Sequence, residues 1–201
     1  MSGSETTLFS FPGESTVTGW SPDDRYVLYS FHGNEPDSRS EIWVVDTAGR
    51  HNRYPLLQAA QDFRWPRLSQ DGQWLAYAGY ETGRPEIYIV PIDFSRPQPK
   101  VGTNKWQIST DGGVLPVWPR DGKELFFTNA PETTLYSVPL TMAGGIVHPG
   151  SIKKLFDLSP HANAFFYDVS PDGKRFYVAQ APQGSSLPLT VVTNWQARVR
   201  K

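Results

Sequence analysis

Hydrophobic positions along the chain fall in short runs, and four of these runs follow a similar turn. The copies begin "SPDDRYVLY" at Ser21, "SQDGQWLAY" at Ser69, "PRDGKELFF" at Pro119 and "SPDGKRFYV" at Ser170. In each copy three consecutive positions after the turn are apolar, as in Leu75, Ala76 and Tyr77. Successive side chains of a strand point to opposite faces, so this pattern predicts strands that are buried on both faces.

The turns themselves share an aspartate, at Asp23, Asp71, Asp121 and Asp172, which recurs about every 50 residues. Proline at the second position or glycine at the fourth favours a type I turn that ends in a left-handed residue. In the first copy Asp24 replaces the glycine, and aspartate tolerates that conformation better than most residues. We expect each repeated carboxylate to accept local backbone hydrogen bonds rather than to bind calcium or to act in catalysis.

The first three repeats each contain three further strand-like segments, and the fourth repeat contains two. Those before the turns are "TVTGW", "FRWPRL", "VLPVW" and "FFYDV"; those after them are "EIWVVD", "EIYIVPI", "TLYSVPL" and "PLTVVTNW", and polar fourth segments are "RYPLLQ", "WQIST" and "IKKLFDL". The pattern predicts an all-β chain, a β-propeller of four four-stranded antiparallel blades. Residues 1–201 are expected to form one domain, with blades at about 15–60, 61–112, 113–160 and 161–195. Trp20 and Trp118 end the first strand of their repeats and are expected to pack between blades.

Two arrangements of the ends fit this pattern. The fourth repeat has no fourth strand after Trp195, and "TTLFSF" at residues 6–11 is a candidate for that strand, which would close a four-bladed ring. Alternatively, the chain is an incomplete arc of a larger propeller. Its apolar end faces would then be covered by missing blades or by a second copy in a homodimer.

Composition narrows the function classes. With 38% hydrophobic residues the chain can bury a core. Its net charge of -1 gives it no excess of positive charge that would attract nucleic acid or an anionic membrane. It has no cysteine, no signal-peptide pattern at its start and no apolar run long enough for a membrane span. As it stands the chain is expected in the cytoplasm, and outside the cytoplasm or in the periplasm if it is part of a longer protein.

Enzyme motifs are absent from the sequence. There is no G-x-S-x-G elbow, and the histidines show no paired spacing such as H-E-x-x-H. We therefore expect no catalytic residue, metal or cofactor. The alternative is a propeller hydrolase or lyase whose axial metal is held by histidines of different blades, such as His32 and His161.

Binding residues are expected where loops vary on a repetitive scaffold. In a four-stranded blade, the loops between the second and third strands share one face with the connections between blades. Trp65 has an arginine close on either side in "FRWPR" and is suited to stacking against a ligand. The candidates are His32, Asn34, Tyr80, Arg84 and Asn129 from the loops, and Arg64, Trp65 and His161 from the connections. Asp168, in an inner strand, is a further candidate for lining the central channel.

The "SPDG" turn, the "RFYVAQ" strand and the "EIYIVPI" strand resemble TolB-like β-propeller repeats, which are relatives of WD-repeat blades. Longer phrases, among them "SQDGQWLAYAGYETGRPEIYIVPI" and the ending "PLTVVTNWQARVRK", resemble the C-terminal propeller of bacterial serine/threonine protein kinases. The resemblance implies a non-enzymatic module that binds a protein, peptide or small ligand for a signalling or envelope assembly. The kinase motifs "GxGxxG", "HRD" and "DFG" do not occur, so no phosphoryl transfer is expected.

Overall fold

The computed structural model describes residues 13–158, 162–180 and 189–192 together with Thr7 and Ser10, and it describes no side chains for 162–166, 180 and 189–192. The described residues form 17 strands and no helix. No helix that could span a membrane therefore occurs in this part of the chain. The strands form four separate antiparallel sheets, which confirms the predicted all-β architecture of four blades.

Blades 1 and 4 are simple meanders. Blade 1 consists of β1 (Glu14–Trp20), β2 (Tyr26–His32), β3 (Ser40–Asp46) and β4 (Arg53–Leu57), paired in that order. Blade 4 consists, in its described part, of β15 (Ala162–Val169), β16 (Phe176–Gln180) and β17 (Leu189–Val192). The closing strand expected at residues 6–11 lies outside the described residues except for Thr7 and Ser10, so ring closure stays a prediction.

Blades 2 and 3 each contain one strand more than the sequence pattern predicts. Blade 2 has β5 (Phe63–Leu68), β6 (Trp74–Gly79), β7 (Glu86–Asp93), β8 (Lys100–Val101) and β9 (Trp106–Gln107), and both β8 and β9 pair with β7. Blade 3 has β10 (Val114–Val117), β11 (Glu124–Thr128), β12 (Thr134–Ala143), β13 (Ile146–Pro149) and β14 (Lys153–Asp157), and both β13 and β14 pair with β12. The third strands, β7 and β12, are long enough for two short strands to share one edge.

The apolar triplets of the first three repeats are buried on both faces, as predicted, and in the fourth Phe176 and Val178 are buried while Tyr177 is half-buried. In β6, Leu75 and Tyr77 belong to the core between blades 1 and 2, whereas Ala76 belongs to the core between blades 2 and 3. In β11, Leu125 faces blade 2 and Phe126 faces blade 4. Burying each large apolar side chain contributes about 1.5–3 kcal/mol, so the spaces between blades hold most of the core.

The four turns have the expected conformation. Their left-handed residues are Asp24, Gly72, Gly122 and Gly173, with φ of 57°, 67°, 64° and 69°. Each repeated aspartate accepts a hydrogen bond from the backbone N–H two residues later, at 3.1–3.2 Å. In three turns the first residue is a serine whose hydroxyl also donates to the aspartate, and proline replaces it in the third copy.

The expectation that Trp20 and Trp118 pack between blades is correct for one of them. Trp118 packs against the core between blades 2 and 3, and its indole N–H donates to the carbonyl of Arg67 at 3.2 Å. Trp20 is 54% exposed and Val17, on the same strand, is 63% exposed. Trp20 holds the repeat position that faces the preceding blade, and no described blade precedes β1 in the chain.

Candidate functional site

The innermost strands of the four blades surround a cleft of about 630 Å³. Neighbouring strands contact each other in the order β1, β5, β10 and β15. We call this space the axial cleft. Blade 1 contributes Glu14, Thr18, Phe31 and His32, blade 2 contributes Arg64, Trp65 and Arg67, blade 3 contributes Leu115, Pro116 and Val117, and blade 4 contributes Tyr167.

The cleft reaches one face of the molecule, which we call the loop face. Here the Tyr80 N–H donates to the carbonyl of Asp62 at 3.2 Å, and the Leu158 N–H donates to the carbonyl of Thr133 at 2.7 Å. These bonds join the loops between second and third strands to the connections between blades, as the topology predicts. His32, at the loop-face end of β2, lines the cleft.

Two bulges shape the cleft wall. The pairing of β5 shifts between Arg64 and Arg67, and the pairing of β10 shifts between Val114 and Val117. Within each bulge one residue is left-handed, Trp65 with φ of 52° and Leu115 with φ of 54°, and each precedes a proline. A bulge bends its strand and redirects its side chains. Trp65 lies in the cleft wall and packs against the core between blades 2 and 3 and the core between blades 3 and 4.

Arg67 connects the inner strands of blades 2 and 1. Its Nη1 donates to the carbonyl of Thr18 at 2.6 Å. Burial lowers the pKa of the Arg67 guanidinium below its ordinary value, whereas Tyr167 and Asp168 act in the opposite direction. An arginine pKa lies so far above neutrality that the group keeps its charge.

Tyr167 connects blade 4 to blade 3. Its hydroxyl donates to the carbonyl of Leu115 at 2.6 Å, and burial raises the pKa of this hydroxyl well above its ordinary value of 10. The hydroxyl therefore stays protonated and keeps its bond. Tyr167 rather than Asp168 lines the cleft, because the pairing of β15 shifts between Ala162 and Tyr167. Asp168 is exposed, and its carboxylate accepts from the N–H of Val169.

Three of the residues predicted to bind a ligand line the cleft, namely His32, Arg64 and Trp65. Tyr80 lies beside them, with its ring centroid 5.6 Å from the Arg64 guanidinium. The His32 ring nitrogen Nδ1 lies 3.3 Å from the hydroxyl of Ser40, which also lines the cleft.

The other candidates lie elsewhere. Asn34 is exposed in the loop after β2. Arg84 donates to the buried Glu86 at 2.8 Å and to Asp111 at 3.2 Å. Asn129 accepts from two backbone N–H groups of its own loop at 2.9 Å. His161 lies outside the described residues.

In the described part of the chain, no group of three or more His, Cys, Asp or Glu side chains is arranged to hold a metal ion. Since His161 is not described, the axial-metal alternative stays a prediction. Elemental analysis of the purified protein, before and after a His32→Ala substitution, tests it.

Sequence reasoning missed Arg67 and Tyr167 as lining residues. Alternation along an unbroken strand assigns each side chain to a face, but a bulge changes the assignment for every residue beyond it. The available signal was proline. Pro66 and Pro116 stand inside the first strands of blades 2 and 3, and a proline within a strand indicates an edge strand or a bulge.

Comparison with known proteins agrees with this architecture. No protein-family model matches the chain. The Tol-Pal system protein TolB of Roseobacter denitrificans is 33% identical over 70 residues, which are 35% of this chain and 16% of that protein.

Solved structures match over most of the chain. TolB from Acinetobacter baumannii aligns with a TM-score of 0.63 and 21% identity, over 93% of this chain and 43% of its own. A putative TolB from Agrobacterium tumefaciens aligns with a TM-score of 0.61 and 19% identity, over 92% of this chain and 60% of its own. A puromycin-hydrolyzing peptidase of Mycobacterium tuberculosis aligns with a TM-score of 0.59 and 18% identity, over 89% of this chain and 29% of its own. The chain thus spans less than two thirds of each of these proteins.

Proposed function

We propose that this chain, which has the TolB-like β-propeller fold, is a non-enzymatic binding module that recognises a protein or peptide partner in the axial cleft. The observation that carries the proposal is the composition of that cleft. It combines a large aromatic side chain, Trp65, with the cations Arg64 and Arg67 at the meeting point of four blades.

The chemistry of the cleft suits a peptide. Trp65, Phe31 and Leu115 offer apolar contact area, while Arg64 and His32 offer polar groups near the loop face. Anchors of this kind, an aromatic residue with an arginine in a concave pocket, carry most of the affinity in protein interfaces. A segment of a few residues matches a cleft of about 630 Å³.

The inner strands that line the cleft are held in place by bonds within the protein, without a bound partner. The Arg67 bond to Thr18 ties β5 to β1, and the Tyr167 bond to Leu115 ties β15 to β10. Both bonds are made within the protein, so binding does not have to order the inner strands. A preorganised site loses less conformational entropy when it binds.

The binding module is part of a larger assembly, which is either a bacterial envelope system or a kinase-associated signalling protein. The Roseobacter relative is named for the Tol-Pal system, and this chain shares a 70-residue segment with it. The compartment follows from the assembly and lies outside the cytoplasm for an envelope module.

Peptide selection tests the proposal. We expect a phage-displayed library of random peptides to yield ligands of the purified chain whose dissociation constants rise at least tenfold in Trp65→Ala, about 1.4 kcal/mol in binding free energy. Isothermal titration calorimetry measures the constants. Trp106→Ala is the matched control, because Trp106 packs against Trp74 at 5.7 Å and does not line the cleft.

His32→Ala provides a second variant at the edge of the cleft, in case the substitution of Trp65 perturbs the bulge. Thermal melts of all variants verify folding. A library that yields no ligand, or ligands whose affinity depends on Trp106 and not on Trp65 or His32, contradicts the proposed function.

A further inference from the structure

We propose that the axial cleft contains a carboxylate-binding site, in which the guanidinium groups of Arg67 and Arg64 hold the acidic group of a ligand that also carries an apolar portion. The inference rests on the proposed function and adds the chemistry by which the partner is recognised: an acidic residue, or a chain end, next to an apolar one.

Arg67 is a half-buried cation that lacks a direct counter-charge. Its one hydrogen bond in the described structure goes to a neutral carbonyl, that of Thr18. No carboxylate of the described residues lies within 4 Å of its guanidinium, and Asp168 acts on its charge only from farther away. A charge that is partly removed from water without a partner is unfavourable, and an anionic ligand in the cleft relieves that cost.

Arg64 is the second cation of the cleft wall. Its Nε is buried and has no hydrogen-bond partner among the described residues. Its Nη2 lies 3.7 Å from the carboxylate of Asp62, which is beyond hydrogen-bond distance. The Arg64 guanidinium carbon lies 5.6 Å from the centroid of the Tyr80 ring, within reach of a cation–π interaction that uses no conventional hydrogen bond.

The remaining surface of the cleft explains why the ligand also needs an apolar portion. Trp65, Leu115 and Val117 line the same cleft as Arg67. Among the described residues of the wall the only acidic side chain is that of Glu14, which is exposed. Asp62 lies beside the wall, 3.7 Å from Arg64, so Arg67 is the cation of the wall that has no carboxylate of the described residues within 4 Å.

A carboxylate fits better than a phosphate. A guanidinium presents paired N–H donors that match the two oxygens of a carboxylate. The phenolic hydroxyl of Tyr167, which would serve a third oxygen, already donates to Leu115.

Hexanoate and hexanamide are the probes, since they share an apolar tail and differ in the charged group. We expect hexanoate, added at constant ionic strength, to shift the Nε–Hε signals of Arg64 and Arg67 in ¹H–¹⁵N spectra in a saturable way. Hexanamide is expected to leave those signals unchanged. In Arg67→Gln the dissociation constant for hexanoate is expected to rise at least tenfold.

Arg120→Gln is the control, because Arg120 is exposed and does not line the axial cleft. Arg64→Gln is the second variant and is expected to weaken hexanoate binding even if Arg67→Gln does not fold. Equal binding of hexanamide, unchanged binding in both cleft variants, or tighter binding of inorganic phosphate than of hexanoate overturns the proposal.

The two proposals fail separately. Selected peptides that need Trp65 but bind equally well to Arg67→Gln and Arg64→Gln leave the binding module intact and overturn the carboxylate site. Hexanoate that binds at the arginines while no peptide binds supports the carboxylate site and contradicts the proposed peptide function.

Discussion

In the repeated turns, a single serine side chain both holds the backbone of the turn and changes the pKa of the neighbouring aspartate. The buried hydroxyl of Ser170 donates to the carboxylate of Asp172 and accepts from the N–H of Arg175. These bonds hold the turn, and the bond from Ser170 is the main cause that lowers the pKa of Asp172 below its ordinary value of 3.8. The same arrangement at Ser21 lowers the pKa of Asp23.

Ser170→Ala is expected to raise the pKa of Asp172 toward 3.8. A carboxyl whose pKa is lowered by folding stabilises the fold above its unfolded pKa, and that contribution disappears as pH falls through the folded pKa. The variant should therefore be less stable at pH 7 and should lose less further stability between pH 5 and pH 2. Carboxyl NMR titration and denaturant melts measure the two quantities.

Ser151→Ala is the control, because Ser151 is exposed and makes no hydrogen bond in the described structure. An unchanged pKa of Asp172 in Ser170→Ala would show that the backbone N–H of Lys174, and not the serine, sets it.

Polar loop residues were harder to assign from sequence. Arg84 and Asn129 stand in variable loops and are predicted to bind a ligand, yet both make hydrogen bonds that hold their own loops. Composition does not separate a polar residue that shapes a loop from one that contacts a partner, because both types occupy turns. Their binding roles stay predictions.

At the scale of strands and turns, the sequence predicted the repeat well because burial on both faces leaves a strong pattern. The apolar triplets, the left-handed turn positions and the second-to-third loops of blades 1 to 3 are where the repeat indicated. The short strands β8 and β13 were not predicted, because they depend on how far β7 and β12 extend. The bulges in β5 and β10 were missed, although Pro66 and Pro116 mark them.

The repeated turns of neighbouring blades also pack on one another. Two glycines in these turns have the same backbone conformation but different neighbours, so comparing them separates the cost of backbone strain from the cost of a steric clash. Gly72 and Gly122 have φ of 67° and 64°. A Cβ on Gly72 meets the ring of Pro22, in the turn of blade 1, at 2.6 Å, whereas a Cβ on Gly122 meets nothing within 4 Å.

We expect Gly122→Ala to lower the free energy of unfolding by about 1–2 kcal/mol through backbone strain alone. Gly72→Ala adds the clash with Pro22 and should cost about 1–3 kcal/mol more. Chemical denaturation measures both. Equal losses for the two variants would mean that the turns of blades 1 and 2 do not touch in solution.

For the whole molecule, the end of the arc at blade 1 is the feature that distinguishes a closed ring from an open one. Trp118 makes the contact between blades that its repeat position predicts, with a hydrogen bond to Arg67, whereas Trp20 at the same position is 54% exposed. The sequence could not predict this difference in exposure. Trp20 and Trp118 occupy the same position of the repeat, and they differ only in whether a described blade packs against them.

Trp118→Ala is expected to lower the free energy of unfolding by about 2–3 kcal/mol, and Trp20→Ala by no more than about 0.5 kcal/mol. Denaturant melts with light scattering on the same samples test this pair. A cost for Trp20→Ala equal to that for Trp118→Ala would show that a blade covers β1 in solution. A monomeric mass would then indicate a closed ring, and a doubled mass a homodimer.

The most direct test of the central claim, that the axial cleft is the binding site, is hydrogen–deuterium exchange of the chain with and without its tightest selected peptide. We expect slower exchange in segments 14–18, 63–68 and 114–117, which form the cleft wall, and unchanged exchange in the turns at 21–25, 69–73 and 119–123. Protection confined to those turns, on the opposite face, would contradict the claim.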